Sequence, residues 1–166
     1  MKRLQAGDAQ ALDPLYRRYR GVVNAIIHRQ SRDGSIDAED VCHEVFLTLR
    51  QLAPRYRAGT TLKGWLCGIA IRKARRVNET RWLRTGLLAR FFWSEPVSER
   101  SENLSDIERV LSQLPEPMRE VVVLTQLEQL SAEDVAEALN INVKTVWTRL
   151  HRARERIRDL VEAPAR

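Results

Sequence analysis

Apolar positions recur along this chain at spacings of three and four, the mark of helices that each pack along one stripe. Leu12, Leu15, Tyr16, Tyr19, Val22, Val23, Ile26 and Ile27 form the first stripe, which "SRDGS" interrupts at Gly34. A second helix is expected from about Asp37, with Ala38, Val41, Val45, Leu49 and Leu52 inward and Pro54 at its end. Asp37, Glu39 and Asp40 fall in its first turn, where the helix dipole favours acids. "RYRAGTT" reads as a loop, and a third helix is expected from about Leu62 to Asn78 through Trp65, Leu66, Ile69, Ala70 and Val77. From Thr80 to Ser105 the period dissolves into a linker carrying the cluster Leu87, Leu88, Phe91, Phe92 and Trp93, a patch that needs a domain or a partner to cover it. Periodicity resumes over Asp106–Leu114, and three short segments follow Pro115 and Pro117.

The pattern predicts an all-α protein of two small helical domains, residues 1–79 and 106–166, joined by a linker over 80–105. Composition agrees, since seven Gly and six Pro in 166 residues are too few for a turn-rich sheet protein, and Leu, Ala, Glu, Arg and Gln favour helix. A net charge of +6 points to an anionic partner. Its distribution says more: residues 1–80 hold fifteen Lys/Arg and eight Asp/Glu, whereas residues 106–166 hold nine and eleven. The C-terminal cations are gathered into residues 143–158, where six Lys/Arg face one acid, Glu155.

Cys42 and Cys67 sit in apolar patterns and read as buried free thiols, with neither disulfide framework nor metal spacing. His28, His43 and His151 are scattered, and no phosphate loop or nucleophile elbow appears, so no catalytic site, cofactor or metal is expected. Without a secretory apolar segment or an apolar run of about eighteen residues, a cytoplasmic protein is expected.

The last three helices carry the clearest local chemistry. "MREVVVLTQLEQL" offers Val121, Val122, Leu124 and Leu127 to a core. "LSAEDVAEALN" opens with Ser131 and has Asp134 three residues on, a capping-box-like signal, with Val135, Ala136 and Leu139 inward. Asn140 stands where a left-handed stop is needed, and Asn142 is a good N-cap for the next helix. Two short helices joined by a tight turn, the second basic, make a helix-turn-helix, whose second helix enters the major groove. Val146, Leu150, Ala153 and Ile157 then hold that helix on its core. Lys144, Thr145, Trp147, Thr148, His151 and Arg152 lie on the outer side or its margins, and Arg149, Arg154, Arg156 and Arg158 are placed for phosphates or nearby acids.

These residues resemble a known family. "LPEPMREVVVLTQLEQLSAEDVAEALNINVKTVWTRLHRARERI" is similar to region 4 of the extracytoplasmic-function sigma factors of bacterial RNA polymerase, through Leu114, Pro115, Arg119, Glu120 and Val121, then Ser131, Asp134, Val135, Ala136 and Leu139, then Thr145, Val146, Thr148, Arg149, Leu150, Arg152, Ala153 and Arg154. "GDAQALDPLYRRYR", "DAEDVCHEVFLTL" and "TLKGWLCGIA" resemble region 2 of the same family. The chain departs from the family pattern at His43, usually Gln, at Arg72, commonly Asn, at Arg76, usually Asp, and at Asn140, usually the turn Gly. Arg72 and Arg76 lie near the strand-separation surface, so a preference at the −10 element does not carry over. Only six residues precede "GDAQ", which suggests a trimmed N-terminus.

The resemblance implies a protein that makes no bonds itself but lends core RNA polymerase the ability to find and open promoter DNA. It implies polymerase contacts by Glu39, Asp40, His43 and Glu44, and engagement of the −10 element by Arg57, Lys63, Trp65, Arg72, Lys73, Arg75 and Arg76. Reading of the −35 element would fall to Lys144, Thr145, Trp147, Thr148, Arg149, His151 and Arg152. It further implies an anti-sigma factor that holds the chain inactive and covers the apolar surfaces, the Phe91–Trp93 cluster among them. Two alternatives stand beside it: a helix-turn-helix regulator that acts without polymerase, and a sigma-like decoy that titrates an anti-sigma factor.

Overall fold

The computed structural model describes residues 1–31, 36–57, 61–91 (side chains through residue 80) and 105–162. Helices make up the described regular structure. They are α1 (Lys2–Gln5), α2 (Leu12–Gln30), α3 (Ala38–Leu52), α4 (Leu62–Phe91), α5 (Asp106–Ser112), α6 (Glu116–Val122), α7 (Ala132–Leu139) and α8 (Val143–Glu162).

In the N-terminal domain α2, α3 and α4 pack on one another around Val23, Ile26, Ile27, Val45, Phe46, Leu49, Leu66 and Ala70, all with 3% or less of their surface exposed. All but Phe46 are inward positions of the three- and four-residue spacing. Asp37 caps α3 as its sequence position demands, accepting from the backbone N–H groups of Glu39 and Asp40. The first helix is tied on by Gln5, whose side-chain amide donates to the carbonyls of Ala53 (3.2 Å) and Tyr56 (3.1 Å). Cys42 and Cys67 are buried and unbridged, as expected. Burial pushes the Cys67 thiol up to about 12, with Glu128 adding to the effect.

The third helix does not stop near Asn78. It continues through Thr80 to Phe91. "NETRWLR" contains no strong breaker, and helix propensity suffices to carry the chain on past the last positions of the apolar stripe. The side chains of the Leu87–Trp93 cluster lie outside the described residues.

The C-terminal domain begins with a full capping box. Ser105 Oγ accepts from the Glu108 N–H, while Glu108 accepts from the Ser105 N–H. That backbone bond leads the effects holding the Glu108 carboxyl below its ordinary value, and the His28 ring, 2.8 Å away on α2, contributes. After α6 the chain makes a π turn over Val123–Leu127, with Thr125 Oγ1 bonded back to the Val121 carbonyl at 2.7 Å. Gln129 then takes a left-handed conformation (φ 54°) that sends the chain toward α7. Val121, Leu124, Val135, Val146, Leu150 and Ala153 close the domain core, each at most 2% exposed.

The two domains touch. α4 packs against α7, and α2 against α5 and α6. No helix among the described residues is long and apolar enough to cross a membrane.

Candidate nucleic-acid interfaces

The helix-turn-helix forms through the local devices its residues provide. Ser131 Oγ accepts from the Asp134 N–H at 3.0 Å, Asn140 stops α7 at φ 53° and ψ 51°, and Asn142 Oδ1 accepts from the Lys144 N–H at 2.8 Å. Asn tolerates the left-handed region better than most residues with a Cβ, which explains how it serves where glycine is usual. Val146, Leu150 and Ala153 point into the core and Ile157 is half-buried against it, so α8 is held along one side.

The opposite side is open. Lys144, Trp147, Thr148, His151 and Arg152 are exposed, and 56% of the Trp147 surface meets solvent. Thr145 and Arg149 are half-buried at the margins, Arg149 close enough to Glu120 to help keep that carboxylate charged. Arg154, Arg156 and Arg158 continue the exposed cations. A helix of this kind, anchored on one face and carrying cations, hydroxyls and an indole on the other, offers phosphate contacts along its flanks and donors toward base edges.

The second cationic surface, along α4, is differently disposed. Trp65 is half-buried, its ring edge-on to Tyr56 at 5.1 Å. Arg57 and Arg76 are exposed. Lys63, Arg72 and Arg75 turn toward the C-terminal domain. Lys63 Nζ lies 3.2 Å from Glu128 Oε2 and donates to the Glu128 carbonyl at 2.6 Å. Arg72 Nη1 donates to the Ala138 carbonyl at 2.9 Å, in the last turn of α7 where backbone acceptors are otherwise unsatisfied. Partial burial and the neighbouring Arg75 push the Arg72 pKa down. Arg75 bonds Glu120 and also meets Glu116 at 3.0 Å. Burial pushes the Glu120 carboxyl up, against the pull of Arg75, whose own pKa the Glu120 hydrogen bond raises. Lys73 instead reaches Glu44 on α3, at 3.2 Å.

Both halves of the chain match one family, in order. Residues 15–84 match Sigma-70 region 2 and residues 104–157 match Sigma-70, region 4. The chain is 30% identical over 173 residues to the RNA polymerase sigma-H factor of Pseudomonas aeruginosa, covering 95% of this chain and 89% of that protein. It belongs to the sigma-70 family. The match to the ECF RNA polymerase sigma-E factor of Escherichia coli, 26% identical over 178 residues with 98% and 92% covered, places it in the extracytoplasmic-function branch. Among solved structures, CnrH in complex with the cytosolic domain of CnrY superposes with a TM-score of 0.72 at 25% identity, covering 99% of this chain and 96% of that one. RpoE in complex with the anti-sigma factor NepR from Bartonella quintana gives 0.75 at 20% identity, covering 95% and 100%, a likeness of fold.

In this sigma factor the region 2 helix α3 shows Glu39, Asp40, His43 and Glu44 on its exposed side. The four are not equally available. The His43 ring stacks on Tyr16 and its Nε2 lies 3.0 Å from the tyrosine hydroxyl, and Glu44 is paired with Lys73. Leu47, one turn beyond His43 and 64% exposed, joins this face although it lies outside the apolar stripe that marks the core. The acidic partners of α4 also escape a motif-based reading as partners: Glu120 stands in the region 4 motif without that role, and Glu116 and Glu128 lie outside the motif positions. Their one advance signal is charge: residues 106–142 hold two Lys/Arg and eight Asp/Glu.

Proposed function

We propose that this sigma factor binds core RNA polymerase and directs it to promoters, with the residue roles that its surfaces support. Region 4 reads the −35 element through Lys144, Thr148, His151 and Arg152, with Trp147 and Thr145 packing on sugar or base edges and Arg149 serving phosphates. Region 2 engages the −10 element through Trp65 and the cations of Arg57, Lys63 and the 72–76 run. The carboxylates of Glu39 and Asp40, with His43 and Glu44, face a basic surface of the polymerase, where complementary charge sets register and speeds encounter. The observation that supports this reading best is the coexistence, on one chain and in family order, of a region 2 match with a region 4 match whose α8 is anchored on one face and open on the other.

An anti-sigma factor that holds the chain inactive belongs to the proposal. It is supported by the two solved relatives of the same whole-chain architecture, both captured with a second polypeptide. The chain's own part is recognition, and the polymerase performs the chemistry.

The test is transcription in vitro with purified core polymerase on a library of genomic fragments. The chain together with core is expected to yield discrete start sites that neither gives alone. Tight sequence-specific duplex binding by the isolated chain, with no new starts in the presence of core, would instead establish a regulator that works without polymerase.

A further inference from the structure

The N-terminal half of the outer face of α8 carries one large apolar group among its polar ones. Lys144, Thr148 and His151 follow one another at spacings of four and three, with Arg152 to one side and Trp147 to the other. Trp147 stands at the start of the second turn, in the part of such a helix that reaches base edges. It is 56% exposed, while Val146 beside it is fully buried and, with Leu150 and Ala153, fixes the helix on its core. Its neighbours are already engaged. Thr148 Oγ1 donates to the Lys144 carbonyl at 2.9 Å, which leaves the γ-methyl as the group it offers outward. His151 Nε2 lies 3.5 Å from Glu155 Oε1.

An indole offers a wide apolar edge and a single N–H donor, and it has no acceptor. Only one base edge in the major groove matches that pair. Thymine sets its O4 acceptor beside a C5 methyl. Cytosine and adenine present amino donors that an indole cannot accept, and guanine presents acceptors with no apolar group beside them. We propose that Trp147 is the thymine reader of the −35 element: its indole packs on the 5-methyl group of one thymine, with the Thr148 γ-methyl alongside and the indole N–H matched to O4. Lys144 and Arg152 serve other positions, and phosphate contacts along the flanks set register without choosing this base. The inference rests on α8 lying in the major groove at the −35 element, and sharpens that reading to one base.

The full chain with core polymerase is used to select from duplexes randomised across the upstream element of a start site found with the genomic library. Wild type is expected to enrich a T·A pair at one fixed position. There deoxyuridine, which keeps O4 and loses only the methyl, should weaken binding about fourfold, the share of one buried methyl group. At the same position 5-methylcytosine should bind better than cytosine. Trp147→Ala, at an exposed position that leaves the core intact, should bind thymine and deoxyuridine equally, and Trp147→Phe should keep the preference. An enriched element with no methyl-dependent position overturns the inference and leaves the −35 reading standing. Methyl dependence that survives Trp147→Ala does the same. So does a Trp147→Ala loss that is equal for every upstream sequence, because the indole then serves the DNA backbone or the polymerase. No upstream enrichment at all overturns both, by removing α8 from the −35 element.

Discussion

The cations of α4 and those of α8 come from similar stretches of sequence. Lys63, Arg72, Lys73, Arg75 and Arg76 in one, and six Lys/Arg over residues 143–158 in the other, ride on helices whose apolar stripe is fixed to a core. In the structure their situations differ. On α8 the outer face is open, down to an indole more than half exposed. Of those five on α4, three hold acceptors of the C-terminal domain and a fourth holds Glu44. A run of positive charge therefore measures potential affinity for an anion, not availability. Availability is set by what the rest of the chain can place against it, and here that is a segment with eight acids and two bases.

The contrast can be broken or sharpened experimentally. The largest effect should follow from removing the support of α8. Leu150 is 2% exposed, and Leu150→Ala is expected to destabilise the C-terminal domain by about 2–5 kcal/mol in thermal or denaturant unfolding. A loss well under 1 kcal/mol would mean that α8 is not held as described. Next in size, Arg152→Ala should weaken specific promoter binding by the polymerase complex by about 1–3 kcal/mol. Footprinting checks this, and an unchanged −35 footprint would remove α8 from the groove. Arg158→Ala should leave sequence preference intact and lower the magnitude of the salt slope of duplex binding by about 0.9, one phosphate's share.

The smallest effect concerns Cys67, which lies one turn from Gly64 on α4. With its thiol pushed up to about 12, thiolate is scarce at pH 8, and burial withholds the sulfur besides. Iodoacetamide should leave Cys67 unmodified in the native chain under conditions that fully alkylate the denatured one. Ready labelling would show α4 uncovered in solution and erase its difference from α8.

What could be read before the structure was local. Ser131, Asn140 and Asn142 act within three or four residues of themselves, so the helix-turn-helix was legible from their order and spacing. The core stripes of α2, α3 and α8 were legible for the same reason, since helical periodicity is a short-range property. The end of α4 was not. The three- and four-residue stripe is followed only to Val77, and nothing in "NETRWLR" distinguishes helix from linker. The seam between the domains was least legible of all. Arg72 and Ala138 are 66 residues apart, Lys63 and Glu128 are 65, and Gly68 looks like a mere weakness in a helix until Ala138 lies against it. The Glu44–Lys73 pair likewise joins two sites that motif reasoning assigned to different partners.

The extension of α4 to Phe91 shortens the leash between the two bodies to residues 92–104. Covalent geometry alone confines region 4 to within about 50 Å of that rod's end, at roughly 3.5 Å per residue. So short a tether corresponds to a local concentration in about the millimolar range. Once one body has bound a surface, the second contact is then effectively unimolecular. A partner that grips both bodies at once, as a promoter with two elements spaced along one duplex is built to do, therefore gains more than either contact supplies alone.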